Sequence, residues 1–379
     1  MSHPVRGRRF SAFALVLSLL LPVYACAGST VAGSEATDWP LWAYGVTTPP
    51  QPGDTAKPQG APGPWFRPDL PREEQLRPLQ IEGSSRRYTM VELNDWQHTP
   101  DWFPEEHGPV PIAISRGPTS LADQTRACGF CHRIHGGGRP ENAPVFGLPV
   151  AYFLRQIDDF RAGRRHSSDP RKPNVPTMVA LARALSDEEA RAVAEFWAAQ
   201  SGGPPLRVIE SELAPPVQLH GNLFVRTSEV ASEALSDRIL EVPEDFEKSG
   251  DLDDPRSGYV AYVPVGSIAR GRTLVEHGPL PCATCHGGDL RGSGDAPPIA
   301  GRSPSYIARQ LHDFKTGARN GSLASQMQPV VAAIGSSEML AISAYLASLP
   351  RTPGADQSLQ SDASSANELS GGVTSRRDQ

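Results

Sequence analysis

Two five-residue stretches constrain this chain more than anything else in it. "CGFCH" occupies 128–132 and "CATCH" occupies 282–286. They hold four of the five cysteines in 379 residues, and a histidine directly follows each pair. On a helix, positions i, i+3 and i+4 share one face. Each cluster therefore points two sulfurs and an imidazole at one object. A four-coordinate zinc site needs further ligands, and a dithiol redox motif does not need the histidine. C-x-x-C-H is the attachment signature of c-type haem, in which both thiols add to the vinyl groups. Cys128, Cys131, Cys282 and Cys285 are the expected attachment points, with His132 and His286 as proximal iron ligands.

The clusters are copies of one another. At the same offset of 154 residues, Pro144 matches Pro298, Gly147 matches Gly301 and Tyr152 matches Tyr306. "RQIDDFRAGRR" (155–165) matches "RQLHDFKTGAR" (309–319). The second copy is then five residues shorter, and at the new offset of 149 Met178 matches Met327. This is a tandem duplication of about ninety residues. Histidine with methionine is one way to complete an iron site, and it raises the reduction potential. Met178 and Met327 sit at equivalent places in proline-bearing loops, so they are the expected sixth ligands rather than core filler. Met90 lies outside both copies, and Met339 falls on an apolar helix face.

Each copy reads as helical. Segments 151–162 and 305–316 fit helices. Ser186 and Glu189 make a capping box, and Ala190, Val193, Ala194 and Trp197 form one apolar stripe behind it. Met339, Ile342, Ser343 and Leu346 repeat that stripe in the second copy. Pro144 and Pro298 are candidates to supply the carbonyl that holds each histidine's free ring nitrogen. Gly138 and Gly292 allow close backbone passage at the haem edge. Tyr152, Tyr306, Phe160 and Phe314 are expected to wall the pockets, with Trp197 in the core. His135 and His312 lack histidine counterparts and read as surface or core residues. Arg155 and Arg309 match, as do Asp159 and Asp313, which fits either ion pairs or contacts to haem propionates.

The first residues read as an export signal: "MSHPVRGRRF" is basic and acid-free, and an uncharged apolar stretch follows it. No later stretch reaches ~18 uninterrupted apolar residues. Cys26, in "VYAC", resembles a lipobox cysteine, which would tether the chain to a membrane. The competing reading is ordinary cleavage near Ala25 or Ala27. The formal charge is −6. With no long basic run after the start, nucleic acid is not an expected partner. The expected organisation is a signal peptide (1–26), a proline-rich arm (27–110), a first unit (111–202), a connector with short strands (203–258), a second unit (259–350) and a disordered tail (351–379).

Each copy resembles a class I cytochrome c domain, and the pair is similar to the two-haem cytochrome c4 group. The second copy carries the closer likeness, in "PCATCHGGDLRGSG", "PPIAGRSPSYIARQLHDFKTGARNG", "MQPVV" and "MLAISAYLASL". The resemblance implies an all-α fold of two tandem domains, two covalently attached haem c groups, and His–Met ligation at His132/Met178 and His286/Met327. The expected function is that of an exported electron carrier between periplasmic or membrane redox proteins, not an enzyme. Two alternatives stand beside it: a dihaem enzyme of the peroxidase or thiosulfate dehydrogenase type, and a haem subunit of a dehydrogenase complex. Dihaem thiosulfate dehydrogenases use an axial cysteine, and Cys26 is the one cysteine outside the C-x-x-C-H units. The arm and the connector of roughly sixty residues have no counterpart in the cytochrome c4 group.

Overall fold

The computed structural model describes residues 39–351, apart from 57–66, 68, 122–123, 229 and 280. The signal segment, Cys26 and the tail after Arg351 lie outside the described residues.

The first copy is built on helices Val150–Arg161, Asn174–Ala184 and Asp187–Ala198. The last of these starts where the capping box places it: Ser186 Oγ accepts from the Glu189 N–H, and Glu189 Oε2 accepts from the Ser186 N–H. Its stripe of Ala190, Val193, Ala194 and Trp197 is buried against Phe153, Ile157 and Leu185. A short helix, Ile112–Arg116, supplies Ala113 and Ile114 to this core. It stands where the second copy has the full helix Ser267–His277, so the two copies look alike only from the cysteines onward.

In the second copy, helix Ser336–Ser348 crosses Ser267–His277 and also packs on Pro304–Lys315. Met339, Ile342, Ser343 and Leu346 are buried as the stripe requires, but so are Leu340, Ala341, Ala344 and Tyr345. The helix is covered on its other side as well. Leu340 and Ala344 pack against Ile239 of the connector and against Ala261 and Val263 just after it.

The connector carries short strands, as its sequence suggests, so the fold is all-α only in outline. Strand Tyr259–Val263 lies between Leu206–Glu210, which is parallel to it (Leu206 opposite Tyr259), and Leu240–Pro243, which is antiparallel (Leu240 opposite Tyr262). Two two-stranded sheets complete the β-structure among the described residues. Successive side chains leave opposite faces of a strand. Ala261 and Val263 therefore meet the 336–348 helix, while Val260 packs with Val242, Leu240 and Leu235 on the other face. A strand buried on both faces loses its polar alternation, and "YVAYV" is such a run. The strand starts at the boundary between connector and second unit, and both its partners are connector strands.

The arm packs on the rest of the molecule at several places, of which two are apolar clusters. Trp39 to Tyr44 sits on the 304–315 helix, where Tyr44 and Ala43 pack on Ala308. Farther on, Ile81, Leu93, Trp102 and Phe103 form a small cluster with Leu252, and Trp102 Nε1 donates to the Leu252 carbonyl at 2.8 Å.

The two copies pair about a pseudo-twofold axis. His166 N donates to the Ala318 carbonyl and Asn320 N to the Arg164 carbonyl, each at 2.9 Å. The two bonds exchange places under the 154-residue offset, with Arg165 opposite Arg319 between them.

Candidate haem sites

In the first copy, Cys128–His132 forms one helical turn. His132 is buried, and its Nδ1 lies 2.8 Å from the Ala143 carbonyl. A carbonyl can only accept, so Nδ1 carries the hydrogen and Nε2 keeps its lone pair. Burial also holds the imidazole below its ordinary pKa and therefore neutral. In the second copy, His286 Nδ1 lies 2.8 Å from the Pro297 carbonyl. Its pKa too is lowered by burial.

These carbonyls belong to the residues before Pro144 and Pro298, not to the prolines themselves as the sequence had indicated. A residue preceding proline is confined to extended conformations, and that confinement aims its own carbonyl. The Pro144 carbonyl instead accepts from Arg302 at 3.3 Å. Gly138 and Gly292 have φ of 65° and 94°. Their close approach is to their own loops: a Cβ would lie 2.8 Å from the Ala143 carbonyl oxygen and 2.9 Å from that of Ala296.

Cys128, Cys131, His132 and Met178 line one cleft of the first copy, enclosing about 1350 Å³ including its open mouth. Phe153, Ile157, Phe160, Leu181 and Trp197 give it apolar walls. Trp197 thus serves both core and wall: its ring lies 5.6 Å from that of His132, and its Nε1 donates to the Ile134 carbonyl. Glu141, Ser167, Lys172 and Asn174 also line the cleft, and each has a buried polar atom without a hydrogen-bond partner. Haem c has one apolar edge, which joins the cysteines, and one edge bearing two propionates. Apolar walls around the cysteines together with a set of unsatisfied polar atoms fit such a group.

The second site is more open. Cys282 is the N-cap of helix Ala283–His286, and Cys285 is exposed. Met327 packs with Phe314, Leu311, Val331 and Ile334. Ile334 also belongs to the cluster around Cys282 and Leu290, which links the methionine side of this copy to its cysteine side.

The tyrosines do not serve only their own copies. Tyr306, from the second copy, lines the first cleft together with Tyr152. Tyr152 Oη accepts from Arg319 at 2.7 Å, and Tyr306 Oη accepts from Arg165 at 3.3 Å. Gln156 and Gln310 each accept from both arginines, at 2.9–3.0 Å. The Arg165 and Arg319 guanidinium groups lie over Phe160 and Phe314, at 4.9 and 4.3 Å from the ring centroids. These arginines had a sequence signal, their shared place in the repeat, but no local reason to single them out.

Other matched residues diverge. Arg155 pairs with Asp295 across the copies at 2.9 Å, whereas Arg309 donates to the carbonyls of Ala43 and Pro140. Asp159 pairs with Arg164 at 3.0 Å. Asp313 instead accepts from Tyr44 Oη and from Ser168. His312 is buried, 3.1 Å from Tyr44 Oη and edge-on to Trp39. His135 Nε2 bonds the Pro255 carbonyl.

Arg133, directly after the first cluster, has φ 63° and ψ 162°, where the second copy has Gly287 at φ 83°. That region is nearly restricted to glycine and costs ~1–3 kcal/mol. The connector holds Arg133 there: its guanidinium donates to the Asp254 and Ser249 carbonyls and lies 3.3 Å from Asp253.

The family model described as "Cytochrome c" matches residues 268–350. A thiosulfate dehydrogenase electron acceptor of Thiomonas intermedia is 32% identical over 61% of this chain and 82% of its own length. A cytochrome c4 of Pseudomonas aeruginosa is 26% identical over 61% of this chain and 88% of its own. A thiosulfate dehydrogenase electron acceptor of Stutzerimonas stutzeri is 42% identical, over 19% of this chain and 32% of its own length. The paired units, the imidazoles each held by a carbonyl, and these likenesses agree: the chain belongs to the cytochrome c family, as a dihaem electron-transfer protein similar to cytochrome c4 that binds haem c covalently.

Proposed function

We propose that this protein is an exported carrier of single electrons whose two haems are held by His132 with Met178 and by His286 with Met327. The observation that supports this most is the placing of Met178 in the same cleft as Cys128, Cys131 and His132. A bound haem supplies the one-electron change at iron; the chain decides its setting. The Ala143 and Pro297 carbonyls orient the two imidazoles and leave Nε2 free to ligate. Phe153, Ile157, Leu181 and Trp197 keep water from the first site, and a drier site with a methionine ligand favours the reduced state. The test is absorption spectroscopy of the purified protein, with the haem content fixed and carbon monoxide added. Two low-spin haems indifferent to carbon monoxide are expected. A high-spin or carbon-monoxide-binding haem would remove one methionine from its role.

The electron donor is a second question. Two relatives carry the name thiosulfate dehydrogenase electron acceptor, one of them matched over 82% of its length. That favours a thiosulfate-oxidising enzyme as donor. Reduction of this protein by such an enzyme with thiosulfate, and not by either alone, is the expected result. The acidic chain, at −6, would meet a basic docking face at a rate that falls with salt. An enzyme with an axial cysteine would have to draw on Cys26, since the other four cysteines occupy the C-x-x-C-H units.

A further inference from the structure

The duplication is broken at one place next to the first haem site. Between Arg165 and Met178 runs "HSSDPRKPNVPT"; between Arg319 and Met327 runs "NGSLASQ". The second loop is five residues shorter and carries no charged residue. In the first, Lys172 is buried, lines the cleft that holds Cys128, Cys131, His132 and Met178, and its Nζ has no hydrogen-bond partner. Ser167 Oγ and Asn174 Oδ1 of the same loop, and Glu141 Oε2 facing it, are likewise buried and unsatisfied.

We propose that Lys172 Nζ binds a haem propionate of the first site and places there a buried positive charge that the second site lacks, setting the two haems apart in reduction potential. The inference rests on haem attachment at Cys128 and Cys131.

An isolated buried ammonium is strongly disfavoured, so a chain that keeps one needs an anion for it. The surrounding protein does not supply enough. Burial first, and then the Arg309 guanidinium, pull the Lys172 amine down to about 7 despite the carboxylates of Glu141, Asp313 and Asp169. Two of those carboxylates are already engaged. Asp169 pairs with Arg171 at 2.6 Å, and Asp313 is held by Tyr44 and Ser168. A carboxylate entering with the haem supplies the missing charge. Arg165 and Arg319 do not provide the same asymmetry, because each is the other's counterpart in the repeat and both share the two glutamines.

The electrostatic consequence has a fixed sign. A positive charge nearby opposes the extra positive charge of the oxidised haem, so it favours reduction of the first haem by an incoming electron. A unit charge ~10 Å away through an effective dielectric of ~20 shifts such an equilibrium roughly tenfold, which for one electron is 59 mV.

The experiment is a redox titration of the two-haem protein at pH 6, comparing wild type with Lys172→Met, Lys172→Gln and Lys172→Arg. The two waves are assigned with Met327→Ala, which alters the second haem. Haem content is measured first, so that a failure of attachment at Cys128 and Cys131 is read separately. With Met or Gln at 172, the first haem's equilibrium is expected to move roughly tenfold towards the oxidised state while the second stays in place. Arginine, which keeps the charge, holds the wild-type value. Unchanged titrations in both neutral variants, or equal movement of both haems, overturn the proposal.

Discussion

Gly271 lies where helices 267–277 and 336–348 cross, and its replacement by alanine tests whether that contact fixes the second unit. A Cβ at 271 would stand 2.0 Å from the Ala341 carbonyl oxygen, 2.7 Å from its carbon and 2.7 Å from Tyr345 Cβ. Carbon atoms in contact normally sit ~3.5–4.0 Å apart, so the helices would have to separate by more than ~1 Å. The 336–348 helix cannot simply retreat, because Leu340 and Ala344 on its far side pack on Ile239, Ala261 and Val263. Alanine brings a gain in helix propensity of ~1 kcal/mol over glycine. Overpacking costs ~1–3 kcal/mol, and the upper end applies where the obstacle is main chain rather than a side-chain tip. The two effects leave a net loss of ~2 kcal/mol, a fall in Tm of about 8–16 °C for a unit of this size. Thermal unfolding of Gly271→Ala, followed by circular dichroism with both haems attached, gives the measurement. A variant that melts at or above the wild-type temperature would refute the reasoning, since propensity would then have outweighed the clash.

Tyr44→Phe removes the hydroxyl that donates to Asp313 at 2.8 Å. A loss of ~1.5–3 kcal/mol is expected by chemical denaturation, with no change in haem content. Glu189 closes the capping box; its pKa stands below 4.5 because the N–H groups of Thr119 and Ser186 outweigh the desolvation that raises it. A lowered carboxylate pKa stabilises the fold above the unfolded value, and that contribution fades as pH falls through the folded one. Glu189→Gln should therefore be the less stable protein at pH 7 and approach the wild type at pH 3, as read from denaturant midpoints. Met178→Ala should open the first haem to carbon monoxide and leave the second closed, and Met327→Ala should do the reverse. An unaffected spectrum in either variant would remove that methionine from the ligand set.

The local pattern of the site was legible because it is local. C-x-x-C-H spacing sets two sulfurs and an imidazole on one turn, and the Ser186 box with its stripe sets the start and the buried face of a helix, whatever lies far away in the chain. The repeat exposed Met178, Tyr152 and Arg165 by their counterparts. What sits one residue off, the carbonyls of Ala143 and Pro297 in place of those of Pro144 and Pro298, turned on main-chain direction, which residue identity constrains without revealing.

The rest was decided by which surfaces met. Tyr306 reaches the first cleft, and Arg319 reaches Tyr152, only because the copies pair face to face. The all-round apolar surface of helix 336–348 and the unbroken "YVAYV" run make sense once each is seen to cover the other through Ala261, Val263 and Ala344. Nothing in the sequence singles out Lys172, which is covered only once its loop is folded. By itself, the sequence determined the chemistry at each site, since covalent spacing and helix geometry act over a few residues. Tertiary structure alone decided which groups meet Arg165 and Arg319 and how the two sites differ, because those pairings are contacts between segments more than a hundred residues apart.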